Sequence, residues 1–417
     1  MIIDNRYQVL KKLGIGGTGE VYRVYDRVKD REIVLKLLIY SKSEESLLLL
    51  KKEFLAITKL KHSYIIEVYD FVLPKEGTPY FTMEYIDGVD IIKATNNLRV
   101  KSRNSQIPIT HNLLYTLIVQ LCQALEFIHS HGLIHCDIKP GNILITRDKK
   151  HSADFKFYPK LLDFGLIESV DLSTTVGMRG TVEYMAPEMI KGYFVDRRTD
   201  LYSLGVVLYE AVTGKLPFEG DTPLSILKQH LGRNPISPNE YVKDIPDDLN
   251  RIILKLLSKY PGTRYQSGRE IIHDISQIIG KEFELPSEKG WFLSSGFVGR
   301  EKELSCLDNF LSEKRGKGVF ITGEVGIGKS RLVEEFRIQA QLKGCSFWKG
   351  ICYPGEREIY GPIVEILNEL IPILKLRHPD LLEDYRESLI HFVPGLECYC
   401  STFTQSFPKR ALYIVHR

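Results

Sequence analysis

No apolar run in the 417-residue chain approaches the roughly 18–20 residues of a membrane span, so no membrane-spanning segment is expected. The N-terminus, Met1-Ile2-Ile3-Asp4-Asn5-Arg6, lacks a basic stretch leading into an apolar one, and no secretory signal is expected either. The 7 cysteines include no C-x-x-C pair. That argues against a disulfide framework and fits a reducing compartment, so the expected location is the cytoplasm. Cys398 and Cys400 are followed by no matching Cys/His pair and are read as incidental. An excess of one charge is also missing: 56 basic residues stand against 53 acidic ones, a net +3, which makes no case for nucleic acid or a polybasic membrane anchor. What the chain does have is length. At roughly 100–200 residues per domain, two or three domains are expected.

The stretch over residues 133–188 carries the most chemistry. It holds His135-Cys136-Asp137-Ile138-Lys139-Pro140-Gly141-Asn142, then Leu162-Asp163-Phe164-Gly165, then Ala186-Pro187-Glu188. Phosphoryl transfer needs a carboxylate beside the attacking hydroxyl, oxygen and amide ligands for Mg²⁺, and cations on the moving charge. Asp137, Lys139, Asn142 and Asp163 supply those parts in a workable order. Here the sequence resembles the eukaryotic-type protein kinase family, whose catalytic-loop, D-F-G and A-P-E signatures it repeats almost letter for letter. One letter departs: Cys136 stands where the family usually has Arg.

Upstream, the strand-like Tyr7-Gln8-Val9-Leu10-Lys11-Lys12-Leu13 runs into a glycine turn holding Gly14, Gly16 and Gly19, then into Val21-Tyr22-Arg23-Val24-Tyr25. Glycines let main-chain N–H groups approach phosphates that a side chain would obstruct. A dinucleotide fold would continue into a helix, whereas β-branched and aromatic residues here predict a hairpin. Ile33-Val34-Leu35-Lys36 then ends a buried-looking strand on a lysine. The resemblance implies that Lys36 holds the α/β-phosphates and that Val21 and Val34 roof the adenine. Residues 46–60 read as a helix with Leu47, Leu50, Phe54, Ile57 and Leu60 on one stripe. Glu53 lies off that stripe and is the residue the resemblance pairs with Lys36. Residues 80–85 read as a strand; by resemblance Met83 is the gatekeeper, the main chain of Glu84 and Tyr85 meets adenine, and Asp90 reaches the ribose.

Apolar residues at helical spacing predict a long buried helix over residues 111–130 that delivers the catalytic loop. By resemblance Asp137 is the base, Lys139 reaches the γ-phosphate, Asn142 and Asp163 ligate Mg²⁺, and Leu144 floors the adenine. A single Asp or Asn in a loop is ordinarily a turn former, and the reading rests on the motifs occurring together. Lys139-Pro140 and Thr181 point to serine/threonine rather than tyrosine specificity. Residues 147–154 read as a lengthened surface turn. Asp200, in a strongly apolar helix, resembles the residue that ties the catalytic loop down, and Arg264 the one that pairs with Glu188. The family's usual Arg at position 136 binds a phosphate on the activation segment, a contact a thiol cannot make. Activity is therefore expected to depend less on activation-segment phosphorylation than in Arg-containing relatives, with Ser173, Thr174 and Thr175 the residues to test.

A second phosphate loop lies further on. Gly323-Glu324-Val325-Gly326-Ile327-Gly328-Lys329-Ser330 matches G-x-x-x-x-G-K-S, after an apolar run at 318–322 read as a strand and before a helix read over 331–343. The loop amides would cradle phosphates, with Lys329 on the β/γ-phosphates and Ser330 on Mg²⁺. With Phe297-Val298-Gly299-Arg300-Glu301 and Tyr360-Gly361-Pro362, this part resembles the regulatory ATPases of the signal-transduction NTPase class. No convincing strand ending in Asp follows, so that domain is expected to be incomplete, with a second nucleotide held weakly. The expected architecture is an α+β bilobal protein kinase fold over residues 7–280 (7–85 and 86–280 as its lobes), a linker over 281–296, and an incomplete α/β P-loop NTPase domain over 297–417. The expected cofactors are ATP and Mg²⁺, and the expected partners are protein substrates. The competing reading is a pseudokinase-like ATP-binding scaffold, or a sensor working through the NTPase module.

Overall fold

The computed structural model describes residues 1–15, 19–38, 47–48, 51, 54–55, 57–58, 60–74, 78–96, 110–147, 157–163, 168–169, 181–283, 299–312, 319–324, 327–351, 360–385, 389 and 411–416. The chain divides into two compact units, one of Met1–Lys51, Val68–Tyr85 and Gly296–Arg417, the other of Lys52–Glu67 and Ile86–Ser295.

The first unit begins with a sheet of β1 (Ile2–Ile3), β2 (Tyr7–Ile15), β3 (Gly19–Asp26), β4 (Arg31–Leu38), β5 (Val68–Val72) and β6 (Tyr80–Glu84), in the order β1-β2-β3-β4-β6-β5. β2 and β3 form the expected antiparallel hairpin across the glycine turn. Side chains alternate between faces along a strand, and residues opposite one another share a face. Register places Val21 opposite Lys36 and Val34 opposite Met83, so these four residues occupy one face. The other face is apolar and aromatic, with Tyr7, Val24, Ile33, Leu35 and Tyr80 packed as a core. Gly19 is required for a reason the sequence did not reveal. A Cβ built there would lie 2.3 Å from the carbonyl oxygen of Leu37, so only glycine lets β3 start this close to β4.

The second unit is mainly helical. Residues 54–55 and 57–58 are in helix, with Phe54 and Ile57 buried as the stripe predicted, while Leu60 is buried but lies past the helix. β7 (Gly88–Asp90), β9 (Ile143–Arg147) and β10 (Phe157–Leu161) form a small sheet in the order β10-β9-β7, and β8 (Leu133–Ile134) pairs with β11 (Glu168–Ser169). β9 and β10 are the arms of the hairpin expected around the polar insert, whose residues 148–154 lie outside the described ones. Asp90 caps the short helix α1 (Ile91–Ala94) by accepting the amide of Lys93 at 2.9 Å.

Helix α2 (His111–Ser130) has the predicted bounds and begins with Thr110 capping the amide of Leu113. Among the described residues it alone has the length and apolarity to cross a membrane, and most of it is buried inside this unit. Its Glu126 reaches the start of α8, below. The short α3 (Pro187–Ile190) leads to α4 (Arg197–Thr213), whose N-cap is Asp196 and whose C-terminus stops at the left-handed Gly214. α5 (Pro223–Gly232), α6 (Pro238–Tyr241), α7 (Asp247–Leu256) and α8 (Gly268–Ile279) follow. Glu126 accepts the first amide of α8, that of Gly268, at 2.7 Å.

The remaining stretch of the first unit holds α9 (Glu301–Ser312), α10 (Lys329–Leu342), α11 (Gly361–Arg377) and α12 (Pro379–Asp384), with β12 (Ser346–Ile351) parallel to β13 (Ala411–His416). Leu307, Leu332 and Phe336 pack α9 against α10. One expectation fails here. Described residues 319–324 form no strand, and Phe320 is 93% exposed. An apolar run becomes a strand only beside a partner that completes its hydrogen bonds, and β12 and β13 pair with each other instead. The helix after the loop also starts earlier than read, at Lys329, because Gly328 adopts a left-handed turn immediately before it.

Glu188 and Arg264 fasten the helical unit. Arg264 is 2% exposed and spends its donors on both Glu188 oxygens (2.7 and 2.8 Å) and on the carbonyls of Ser258, Arg198 and Lys259. Thr199 adds a hydroxyl bond to Glu188 at 2.9 Å. Breaking such a pair from one side strands a buried charge. Arg264→Ala is expected to destabilise the chain by about 3–5 kcal/mol, read as a lowered urea midpoint in the transition reported by buried helix amides. An unchanged midpoint would contradict this role.

Candidate active site

The catalytic loop follows α2 and β8 and is held from beneath by one carboxylate. Asp200, fully buried near the start of α4, accepts the amides of His135 and Cys136 at 2.9 Å each. It also bonds the His129 Nε2 at 2.7 Å. Burial alone would raise the Asp200 carboxyl, but the bond and charge of His129, with His135 close by, hold it below the ordinary carboxylate range. The loop backbone is bent sharply above this anchor, with Cys136 at φ 62° and buried. A non-glycine residue in the left-handed region stores strain, which the Asp200 bonds offset.

The bend presents Asp137, Lys139 and Asn142 together. The Lys139 Nζ lies 2.6 Å from Asp137 Oδ2, and the Asn142 amide donates to the Asp137 carbonyl at 2.9 Å and to Oδ2 at 3.2 Å. Thr181 joins them: Lys139 donates to its hydroxyl at 3.1 Å, and that hydroxyl faces Asp137 Oδ1 at 3.4 Å. Leu162, next to Asp163, is fixed on both sides. Its amide donates to the Asn142 carbonyl at 2.8 Å, and its carbonyl lies 3.2 Å from the His135 ring. Asp163 therefore follows Asn142 at a fixed place, with a left-handed φ of 49°.

The donor set suits a hard cation. Asn142 commits its N–H groups to Asp137, so its amide oxygen and the Asp163 carboxylate are oxygen donors of the kind Mg²⁺ takes. Leu144 lies in β9 opposite Asp90, on the unit that carries this loop. Lys36 belongs to the sheet of the first unit, where it is 3% exposed and shares its face with Gly19, Val21, Val34 and Met83. Gly14 lies in β2 one residue before its end at Ile15, and Glu84 closes β6 just before Tyr85. Gly16, Glu53, Phe164, Gly165, Ser173, Thr174 and Thr175 lie outside the described residues.

In the second phosphate loop, Lys329 donates to the carbonyls of Gly323 and Glu324 at 2.9 Å each, and Ser330 follows in the first turn of α10. Gly323 and Gly328 adopt φ of 158° and 95°. Sequence reasoning missed His129 and the ring of His135. A histidine in the last turn of a helix is ordinarily read as a cation on the helix dipole, so its bond to Asp200 left no local signal.

Because Asp200 titrates lower folded than unfolded, it contributes stability above the ordinary carboxylate range that is lost as pH falls through its lowered value. Thermal midpoints measured from pH 7 downward should therefore drop more steeply for wild type than for Asp200→Asn. Parallel curves would contradict this.

The protein kinase domain model matches residues 7–277, and the AAA ATPase domain model matches residues 296–397. A probable serine/threonine-protein kinase of Clostridium acetobutylicum is 35% identical over 282 residues, which cover 66% of this chain and 40% of that protein. Another from Clostridium perfringens is 36% identical over 285 residues, covering 66% and 39%. Serine/threonine-protein kinase PknB of Mycobacterium tuberculosis is 33% identical over 290 residues, covering 67% and 44%. The chain spans about two-fifths of the length of the curated relatives it matches. With the kinase model covering well over half of its residues, the chain belongs to the protein kinase family.

Proposed function

We propose that the chain transfers the γ-phosphoryl group of ATP to serine and threonine hydroxyls of proteins. The observation that carries this is the contact of Asp137 with Lys139 at 2.6 Å, with the Thr181 hydroxyl touching both. Asp137 orients the acceptor hydroxyl and takes its proton as the new O–P bond forms and the bond to ADP breaks. Lys139 opposes charge on the moving phosphoryl group, and Lys36 does so on the α/β-phosphates. Asn142 and Asp163 would hold Mg²⁺, which would supply positive charge against the phosphate oxygens. The family resemblance assigns nucleotide contacts to Gly14, Gly16, Gly19, Val21, Val34, Met83, Glu84, Tyr85, Asp90 and Leu144, and to Glu53 the pairing with Lys36. Lys139, Pro140 and Thr181 favour serine/threonine over tyrosine.

The scaffold reading is not favoured. A protein that only binds ATP has no use for a lysine paired to an acceptor carboxylate, and the relatives named above are serine/threonine kinases. With ATP labelled on its γ-phosphate and a generic protein acceptor, label should appear on serine or threonine. Asp137→Asn should lower the rate by about 10²–10⁴. Label confined to tyrosine, or a rate unchanged by the substitution, would overturn the proposal.

Cys136 gives the site a second testable property. Its thiol stands where a phosphate-binding guanidinium is usual, so activity should survive without phosphate on the activation segment. The Ser173→Ala, Thr174→Ala, Thr175→Ala triple variant is expected to keep kcat within about threefold of wild type, well under the factor of ten that about 1.4 kcal/mol would cost. Near-complete loss in a folded triple variant would contradict this.

A further inference from the structure

His129 spends one ring nitrogen and leaves the other unused. Its side chain is 5% exposed, and Nε2 bonds the Asp200 carboxylate at 2.7 Å. Asp200 is held ionised and can only accept, which assigns the proton of that bond to Nε2. In the neutral ring Nδ1 then carries a lone pair, and this buried atom has no hydrogen-bond partner among the described residues. Buried polar atoms are ordinarily paired, so the space in front of Nδ1 matters. It is a cavity of about 360 Å³ within the second unit, lined by His129, by Leu133 and Ile134 of β8, and by Asp196, Arg197 and Arg198 at the start of α4, with Gln266. Much of the polar lining is committed to itself. The Arg198 Nε donates to both Asp196 oxygens at 3.0 and 2.9 Å, and its Nη1 donates to the Gln266 side-chain oxygen at 3.1 Å. The Gln266 side-chain nitrogen donates to the carbonyls of Pro261 and Arg264 at 3.1 and 2.8 Å. With Asp196 matched to Arg198, the cavity keeps one surplus positive charge, that of the exposed Arg197.

Two demands on a ligand follow. A guanidinium takes an oxyanion, and the Nδ1 lone pair takes a hydrogen-bond donor. One small group meets both: an oxyanion that keeps a proton at neutral pH. Hydrogen phosphate does so, and sulfate, of similar shape and charge, does not. We propose that this cavity binds hydrogen phosphate, with its charge on Arg197 and its O–H donated to His129 Nδ1. The site reports to the catalytic loop, because the same imidazole bonds the carboxylate that accepts the His135 and Cys136 amides. A ligand on Nδ1 completes that chain of hydrogen bonds, which polarise one another in a buried setting and firm the anchor. Water alone would satisfy Nδ1 but would leave Arg197 without a counter-charge and would draw no distinction between the two anions. The activity arm of this inference rests on the kinase reading above, and the binding arm does not.

The test uses the full chain at neutral pH, with inorganic phosphate as the probe and sulfate at equal ionic strength as the control. Arg197→Ala should remove one component of phosphate binding in a calorimetric titration, and that component belongs to this cavity. It should be about tenfold or more tighter for phosphate than for sulfate, since a site that spends an acceptor on its ligand rejects one without the proton. In imidazole nitrogen NMR spectra the His129 Nδ1 resonance should move with phosphate and stay with sulfate. Binding untouched by Arg197→Ala, equal affinity for the two anions, or an Nδ1 signal indifferent to phosphate would overturn the site and leave Nδ1 to water. For the activity arm, phosphate should raise kcat by about twofold or more in wild type and not in Arg197→Ala, whose rate without phosphate should match wild type. A wild type that binds phosphate here with no change in rate would overturn the link to the loop. A wild type that phosphorylates nothing would refute the kinase reading, while the titration still decided the site.

Discussion

The buried carboxylate of Asp200 is the constraint on which the catalytic loop depends. The loop must turn through a left-handed residue at Cys136 to bring Asp137 and Lys139 to the same place, and that turn is strained for any side chain other than glycine. Asp200 offsets the strain by accepting consecutive loop amides, while His129 supplies the partner that keeps the buried charge from being orphaned. Without that anchor the loop would relax, and a displacement of about 1 Å at a reacting group costs on the order of 10²-fold in rate.

Other parts of the molecule solve the same problem of placing polar groups on a rigid support. Glu188 and Arg264 satisfy each other and neighbouring carbonyls inside the helical unit, a pairing strong because nearly every donor is used. In the sheet, alternation alone puts Lys36 on the face of Val21, Val34 and Met83, and packing of the opposite face on Tyr7 and Tyr80 keeps the strands from slipping register. The buried lysine places its Nζ 6.0 Å from the centre of the Phe81 ring, which stands opposite it on the same face.

Much of this was legible in the sequence where the signal is local. The hairpin across the glycine turn follows from residue type, helix 111–130 from apolar spacing, and the catalytic cluster from residues close together in one loop. The pairing of Glu188 with Arg264 came only through the family resemblance, since nothing between those positions announces it. His129 and Asp200 are 71 positions apart, and the Arg377–Asp4 pair spans 373, so neither leaves a pattern a window can detect. The strand expected at 318–322, absent over its described residues 319–322, has the complementary cause: its apolar letters are right, but strand formation is decided by a neighbour that β12 and β13 supply to each other. The requirement at Gly19 was likewise hidden, because it comes from the carbonyl of Leu37 on another strand rather than from the glycine motif.

The most direct measurement on the anchored loop is steady-state phosphorylation of a serine-containing protein by wild type and by Asp200→Asn, compared as kcat and KM for ATP on folded protein. Because Asp200 acts by holding the His135 and Cys136 amides, kcat should fall by about 10²-fold with KM for ATP nearly constant. An unchanged kcat in the folded variant would contradict the account.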